Sequence, residues 1–223
     1  MGTLYIIATP IGNLEDVTIR ALAVLKQVDL LLCEDTRVTK RLLDRYEISV
    51  PMESYREQVH QRRVGGIIER LKQGAKLGLV SDAGTPGISD PGSWLVREVL
   101  AAAPDTAIVP IPGPSAAAAA VSAAGLPSDE FVFLGFPPHK KGRTAFIKDA
   151  LDQERTAVLY ESTHRIFKLL ETIVGIAPDR ELCVCRELTK IHETLYRGKA
   201  AEIIARLKTT SAKGEFVVII SKK

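Results

Sequence analysis

The chain has 223 residues, 46% of them hydrophobic and 26% charged, with 30 Lys+Arg against 27 Asp+Glu for a net charge of +3. That length accommodates one large or two small domains with a real core, and the composition is that of a folded soluble protein. The longest unbroken apolar run, residues 116–121, is far short of a membrane span, and the start Met1-Gly2-Thr3-Leu4-Tyr5 puts no charged segment before a long apolar one, so the expectation is a cytoplasmic protein with no membrane association.

In chain order, residues 4–8 read as a buried strand and residues 18–28 as a helix, with apolar Ile19, Leu22, Val24, Leu25 and Val28 close to helical spacing. Residues 29–33 form a second strand, 36–46 a basic helix, 57–73 a further helix and 76–80 a strand, followed by a helix over 94–103 and a strand over 106–111. Strands alternating with helices imply parallel pairing, because parallel strands need long crossovers. Beyond Ile111 the pattern changes. Residues 115–124 read as an alanine-rich helix closed by Gly125-Leu126-Pro127. Strands follow at 131–135, 156–161, 182–185, 194–197 and 216–221, with helices near 144–151, 165–174 and 200–207. More strands than helices predict antiparallel or mixed pairing. The expected architecture is α/β in two domains, residues 1–112 with a parallel sheet and residues 113–223 with a mixed one.

Three glycine-proline loops stand directly behind apolar runs: Thr9-Pro10-Ile11-Gly12-Asn13, Ser81-Asp82-Ala83-Gly84-Thr85-Pro86-Gly87, and Pro112-Gly113-Pro114-Ser115. If those runs are neighbouring parallel strands, all three loops emerge at one sheet edge, where open α/β folds bind small molecules. Glycine permits close backbone approach while proline stiffens the loop and removes a donor, which suits a compact polar ligand. Neither G-x-x-x-x-G-K-[ST] nor a G-x-G-x-x-G after the first strand is present, which disfavours nucleoside triphosphates and Rossmann-bound dinucleotides. Cys183 and Cys185, two apart in a strand-like run, point to one face and read as buried reduced thiols. The histidines His60, His139, His164 and His192 lack ligand spacing, so no metal site is expected.

Seven motifs carry a specific resemblance in order along essentially the whole chain: Thr9-Pro10-Ile11-Gly12-Asn13-Leu14-Glu15-Asp16, Glu34-Asp35-Thr36-Arg37, Ser81-Asp82-Ala83-Gly84-Thr85-Pro86 with Asp90-Pro91-Gly92, Pro112-Gly113-Pro114-Ser115, Ser122-Ala123-Ala124-Gly125-Leu126-Pro127, Tyr160-Glu161-Ser162-Thr163-His164-Arg165 and Arg186-Glu187-Leu188-Thr189-Lys190. The chain resembles the small-subunit ribosomal RNA 2'-O-ribose methyltransferase branch of the tetrapyrrole methylase superfamily. That resemblance implies S-adenosylmethionine bound in a cleft between two α/β domains, a homodimer, and methylation of a cytidine 2'-hydroxyl in the decoding region of 16S ribosomal RNA or of the small subunit. Carried over by position, the cofactor would contact Pro10, Ile11, Ala83, Gly84, Thr85, Ile88, Ser115, Ala116, Glu161 and Leu188. Relatives acting on porphyrin-like rings resemble one another in a G-x-G-P-G-D first loop and a G-G-D-P second loop, which this chain lacks. Many members of the RNA branch continue beyond the position matching Lys223 into a small helical segment.

A sulfonium methyl is already activated, so transfer to oxygen mainly requires in-line placement of the hydroxyl and somewhere for its proton to go, a general base adding roughly 10²- to 10⁴-fold. Asp35, Arg37, Glu161, His164, Glu187, Lys190 and Glu193 are polar groups behind apolar strands; Glu187 and Lys190 are taken as the catalytic pair, with Arg37 and Arg165 on phosphates. Glu34, Asp35 and Arg37 serve equally well as intramolecular ion pairs and helix caps, and His164 as a structural residue. Phe136-Pro137-Pro138-His139-Lys140-Lys141-Gly142-Arg143 reads as an RNA-contacting flap through Lys140, Lys141 and Arg143, or as a solvated turn. Lys40 and Arg41 on the basic helix offer a second cationic surface. Methylation of a porphyrin-like small molecule, or a catalytically silent RNA-binding or ribosome-associated module, are the alternative functions.

Overall fold

A computed structural model describes residues 2–56, 60–89 and 92–223, with helix backbone alone over 60–62. The chain forms two compact units, Met1–Ser115 and Ala116–Lys223. The first unit runs β1 (Thr3–Ile7), α1 (Ile19–Leu25), β2 (Leu30–Cys33), α2 (Thr36–Arg45), β3 (Met52–Ser54), α3 (His60–Lys72), β4 (Lys76–Val80), α4 (Gly92–Ala102) and β5 (Ala107–Ile111). Its five strands make one sheet in the order β3-β2-β4-β1-β5, with every neighbouring pair parallel.

Both faces of this sheet are covered, which explains the unbroken apolar stretch of β2, buried at all four positions. Successive strand side chains point to opposite faces. Leu4, Leu30, Leu32, Leu77 and Leu79 therefore pack with Ile67, Leu71, Leu95 and Val99 of α3 and α4. Ile7, Leu31, Cys33 and Val80 pack with Ala21, Leu25, Leu42 and Leu43 of α1 and α2. Thr18 caps α1 by accepting the Ala21 amide, and Asp35 caps α2 by accepting the Arg37 amide. Pro110 is tolerated because β5 is an edge strand, paired only with β1. From the sequence no strand is expected at β3. Three residues are too few to show a period, and pairing with β2 through Leu31→Pro51 and Tyr55→Cys33 backbone bonds of 2.8 Å creates the strand. The helix expected over 57–73 is seen as α3 from His60; residues 57–59, like Asp90 and Pro91 of the second loop motif, lie outside the described residues.

The second unit runs α5 (Ala116–Ala124), β6 (Phe131–Gly135), α6 (Arg143–Asp152), β7 (Thr156–Ser162), α7 (Ile166–Ile176), β8 (Glu181–Arg186), β9 (Thr194–Lys199), α8 (Ala200–Thr209) and β10 (Glu215–Ile220). Its sheet, in the order β6-β7-β10-β8-β9, is mixed: β6 and β7 are parallel and the other pairs antiparallel. Leu159, Val184 and Val218 face α6, α7 and α8 through Ile147, Leu169, Ile173 and Ile203. On the opposite face Val158, Cys183, Cys185, Val217 and Ile219 meet Ala117, Ala120 and Ala124 of α5. The small alanine side chains seat that helix on the sheet. Cys183 and Cys185 are free, buried and on one face, with their Sγ atoms 3.8 Å apart. Among the described residues no helix is long and apolar enough to cross a membrane.

Candidate active site

Strands β4, β1 and β5 are adjacent and parallel, so the three glycine-proline loops leave the first sheet side by side at its carboxyl edge. They are bonded to one another. Thr9 N donates to Gly84 O at 2.9 Å and Gly84 N donates to Thr9 O at 3.0 Å, while the Thr85 hydroxyl donates to Pro114 O at 3.1 Å. Gly84 has φ +79, and a Cβ there would lie 3.4 Å from Ile11 Cγ2 and 3.7 Å from Pro114 O. The glycine is thus demanded by its backbone conformation, and its open side faces both flanking loops. Of the positions expected to hold a cofactor in this unit, Pro10 and Gly84 are buried, Ile11, Thr85 and Ser115 half-buried, and Ala83 and Ile88 exposed. Ile11, Gly84 and Thr85 converge with Pro114, the residue before Ser115; Ile88 lies out along the second loop.

The chemistry of this edge is selective. Residues 9–13, 81–89 and 112–115 contain neither lysine nor arginine, and Asp82 is their one charged side chain. Backbone carbonyls, an acid and apolar Ile11 and Pro114 suit a cationic sulfonium on a nucleoside, and they offer nothing to a polyphosphate. A cavity of ≈ 50 Å³ beside the loops is lined by residues that include Thr9, Pro10, Leu14, Val38, Ser81 and Asp82. Asp82 reaches across to the β2 loop, accepting the Asp35 amide at 2.9 Å.

Asp35 in turn accepts Arg37 Nη2 at 2.6 Å and Arg56 Nη2 at 3.4 Å. The Arg37 hydrogen bonds hold the Asp35 carboxyl well below the usual carboxylate range. Asp35 is accordingly the helix cap and ion-pair partner. The Arg37 side chain is 86% exposed and keeps its cationic face to solvent. Lys40 pairs with Asp44 one turn on at 2.7 Å.

In the second unit, the turn after β8 is strained: Glu187 and Thr189 sit at φ 52 and φ 65, conformations that non-glycine residues adopt at a cost. Its bonding holds it there. Glu187 Oε1 accepts the Glu215 amide at 2.9 Å and Lys190 Nζ at 2.9 Å, and Lys190 Nζ also reaches Glu215 Oε2 at 2.8 Å. Glu193 accepts the Thr189 amide at 2.6 Å. Buried Arg186 ties the turn to Lys213 O and His192 O at 2.6 Å and 3.1 Å. Burial pushes the Glu187 carboxyl up, but the Glu215 amide and Lys190 outweigh it, so Glu187 titrates below its ordinary range. Partial desolvation pulls Lys190 down, and its two carboxylate partners more than restore it, so it titrates above the ordinary lysine range. At neutral pH Lys190 is a cation, and Glu187 is the acceptor of the pair. Gly214, at φ +124, leaves room for the Glu187 side chain, since a Cβ there would lie 2.5 Å from Glu187 Cγ. Neither Gly214 nor Glu215 is visible as a partner in the sequence, because Glu215 lies 28 positions beyond Glu187, with β9 and all of α8 between. Leu188 is partly buried and packs against the cluster on the α5 side of the sheet, and His164 is exposed.

Glu161, expected to touch the cofactor, is 1% exposed with both carboxylate oxygens committed. Its Oε2 accepts Arg143 Nη2 at 2.6 Å, and its Oε1 accepts the Ser162 amide at 2.8 Å and forms an ion pair with Arg165 Nε at 2.9 Å, while that Nε–H donates to the Ser162 hydroxyl at 3.1 Å. The expectation that Arg143 and Arg165 themselves reach phosphates is therefore corrected: both guanidiniums turn inward to Glu161, and Arg143 is only 4% exposed. His139, Lys140 and Lys141 are exposed.

Comparison with known proteins places this architecture. Residues 3–204 match the family model described as Tetrapyrrole (Corrin/Porphyrin) Methylases. A Thermotoga maritima protein named Ribosomal RNA small subunit methyltransferase I is 44% identical over 223 residues, covering all of both chains. Proteins of the same name from Halalkalibacterium halodurans and Escherichia coli O157:H7 are 43% and 45% identical, covering 98% of this chain and 75% and 77% of theirs. Among solved structures, diphthine synthase aligns at TM-score 0.74 with 14% identity over 99% of this chain and 90% of that one, and the methyltransferase CobJ at TM-score 0.71 with 20% identity over 100% and 95%. The structural likenesses carry the fold. The family match, spanning nearly the whole chain, and full-length identity above 40% carry the assignment: the chain belongs to the tetrapyrrole (corrin/porphyrin) methylase family.

Proposed function

We propose that this protein is an S-adenosylmethionine-dependent 2'-O-ribose methyltransferase acting on a cytidine in the decoding region of 16S ribosomal RNA, in the cytoplasm and as a homodimer. The observation that carries the reading is the cation-free cradle of three mutually bonded loops at the carboxyl edge of a parallel sheet, in a chain similar over its full length to proteins named for ribosomal RNA small subunit methylation. When bound, S-adenosylmethionine supplies a methyl group already activated on sulfur. Pro10, Ile11, Ala83, Gly84, Thr85, Ile88 and Ser115 are its proposed contacts in the first unit, and Ala116, Leu188 and the backbone of Glu161 in the second.

The rest falls to positioning. Glu187 and Lys190 are the proposed catalytic pair. Lys190, held protonated, would orient the ribose through its charge, and Glu187 would be the group that takes up the proton given up by the ribose hydroxyl. A base with lowered affinity for protons contributes modestly, so alignment carries most of the acceleration. Exposed Arg37, Lys140 and Lys141 are the proposed phosphate contacts. A porphyrin-like substrate is not favoured, because Thr9-Pro10-Ile11-Gly12-Asn13 and Ala83-Gly84-Thr85-Pro86 stand where ring-modifying relatives resemble one another in other loop sequences. The test is incubation with methyl-labelled S-adenosylmethionine and small ribosomal subunits lacking the modification, followed by nucleoside mass spectrometry. Labelled 2'-O-methylcytidine is expected; label elsewhere, or none with cofactor binding intact, overturns the acceptor.

A further inference from the structure

We infer that buried Arg143 and Glu161, with part-buried Arg165, position the basic arm at residues 136–142 and so act on RNA binding through that arm, without touching RNA; this rests on the RNA reading above. The arm is gripped through its carbonyls. Arg165 Nη1 donates to Pro137 O at 3.0 Å and Arg143 Nη1 donates to Pro138 O at 3.4 Å. Prolines donate no amide, so those carbonyls are the main-chain groups by which this part of the arm can be held. At the root, the Phe136 ring packs edge-on against Tyr160 with centroids 5.4 Å apart, and the Tyr160 hydroxyl accepts the Ala117 amide at 3.2 Å. The tip, His139, Lys140 and Lys141, is left in solvent.

Charge counting separates this role from simple stabilisation. One guanidinium balances Glu161; the cluster holds two, part-buried Arg165 and fully buried Arg143, whose Nε lies without a hydrogen-bond partner. A second desolvated cation is a cost to folding. What Arg143 adds beyond Glu161 are bonds to the Pro138 and Arg165 carbonyls, the former within the arm. An arm ordered in advance presents Lys140 and Lys141 with less conformational entropy left to lose on binding.

The test variant is Arg143→Met, which leaves Glu161 and Arg165 charge-balanced. Native-state trypsin cleavage after Lys140 and Lys141 reports arm anchoring without RNA. We expect cleavage about tenfold faster in Arg143→Met, as the locally open population rises. Arg165→Lys keeps the charge but loses the planar fork that spans Glu161 and Pro137 O, and should also accelerate cleavage. Affinity for unmodified small ribosomal subunits is then measured for Arg143→Met with and without Lys140→Ala and Lys141→Ala. Weaker binding in the lysine-bearing protein, and no further weakening once the lysines are gone, is the expected cycle. Unchanged cleavage, or an equal affinity loss in both backgrounds, overturns the inference. Lysine replacements that leave subunit affinity and its salt dependence untouched overturn the RNA reading of the arm, a failure distinguishable because the cleavage comparison involves no RNA.

Discussion

Replacing Gly214 with alanine tests the turn that carries Glu187. The backbone there has φ +124, which costs a residue with a Cβ about 1–3 kcal/mol. The new Cβ would stand 2.5 Å from Glu187 Cγ and 2.7 Å from its Cδ and Oε1, well inside contact distance, so the side chain must leave. Expelling it breaks the bond from the Glu215 amide to a charged acceptor, about 1.5–3 kcal/mol, and releases Lys190, whose partly exposed pairing adds less than about 1 kcal/mol. The sum is roughly 2.5–7 kcal/mol for the second unit, or a fall in its melting midpoint of about 10 °C or more. Differential scanning calorimetry reads the cost, in the wild type and in a Glu187→Ala background where the clashing atoms are absent. In that background only the backbone cost remains, giving a coupling of about 1.5–4 kcal/mol. Methyl transfer should stay low in the double variant although its stability is no lower than that of Gly214→Ala alone, which separates the structural role of Glu187 from its proposed catalytic one. Additivity of the two substitutions to within about 0.5 kcal/mol would refute the steric argument.

Thr85→Val removes the hydroxyl bonded to Pro114 O and should lower stability by about 0.5–1.5 kcal/mol while weakening S-adenosylmethionine binding by calorimetric titration; unchanged affinity would take this bond out of the cradle. Glu161→Gln strands the buried Arg143 guanidinium and the part-buried one of Arg165, and a loss of about 3–5 kcal/mol is expected in urea unfolding. Because the Glu187 pKa is lowered on folding, its contribution is present above its unfolded pKa and lost as pH falls through the folded value; the stability gap between wild type and Glu187→Gln should shrink only in acid. Lys190 has the opposite sign, and the gap to Lys190→Met should persist through neutrality and close as pH rises through its raised pKa. Leu169→Ala, at a fully buried position of α7, should cost about 2–5 kcal/mol by the same unfolding measurement.

By itself the sequence determined the parallel first sheet and the gathering of three loops at its edge. Apolar runs, helical spacing and glycine-proline punctuation are local signals, and long crossovers leave parallel pairing as the outcome. It also determined the family, because ordered motifs along the chain survive without knowledge of their contacts. Tertiary structure alone decided what the charged residues do. Arg143 and Arg165 have the composition of a phosphate-binding flap, yet both turn inward onto Glu161, 18 residues from one and four from the other, and only the packing of α6 against β7 and the start of α7 brings them together. Asp35 stands among candidate catalytic acids in the sequence and is a helix cap bonded to two arginines in the structure. Gly214 and Glu215 complete the Glu187 turn from another strand, and β3 exists because β2 offers it hydrogen bonds. Side-chain partners far apart in the chain leave no periodic trace, whereas the backbone pattern that orders the strands is written residue by residue.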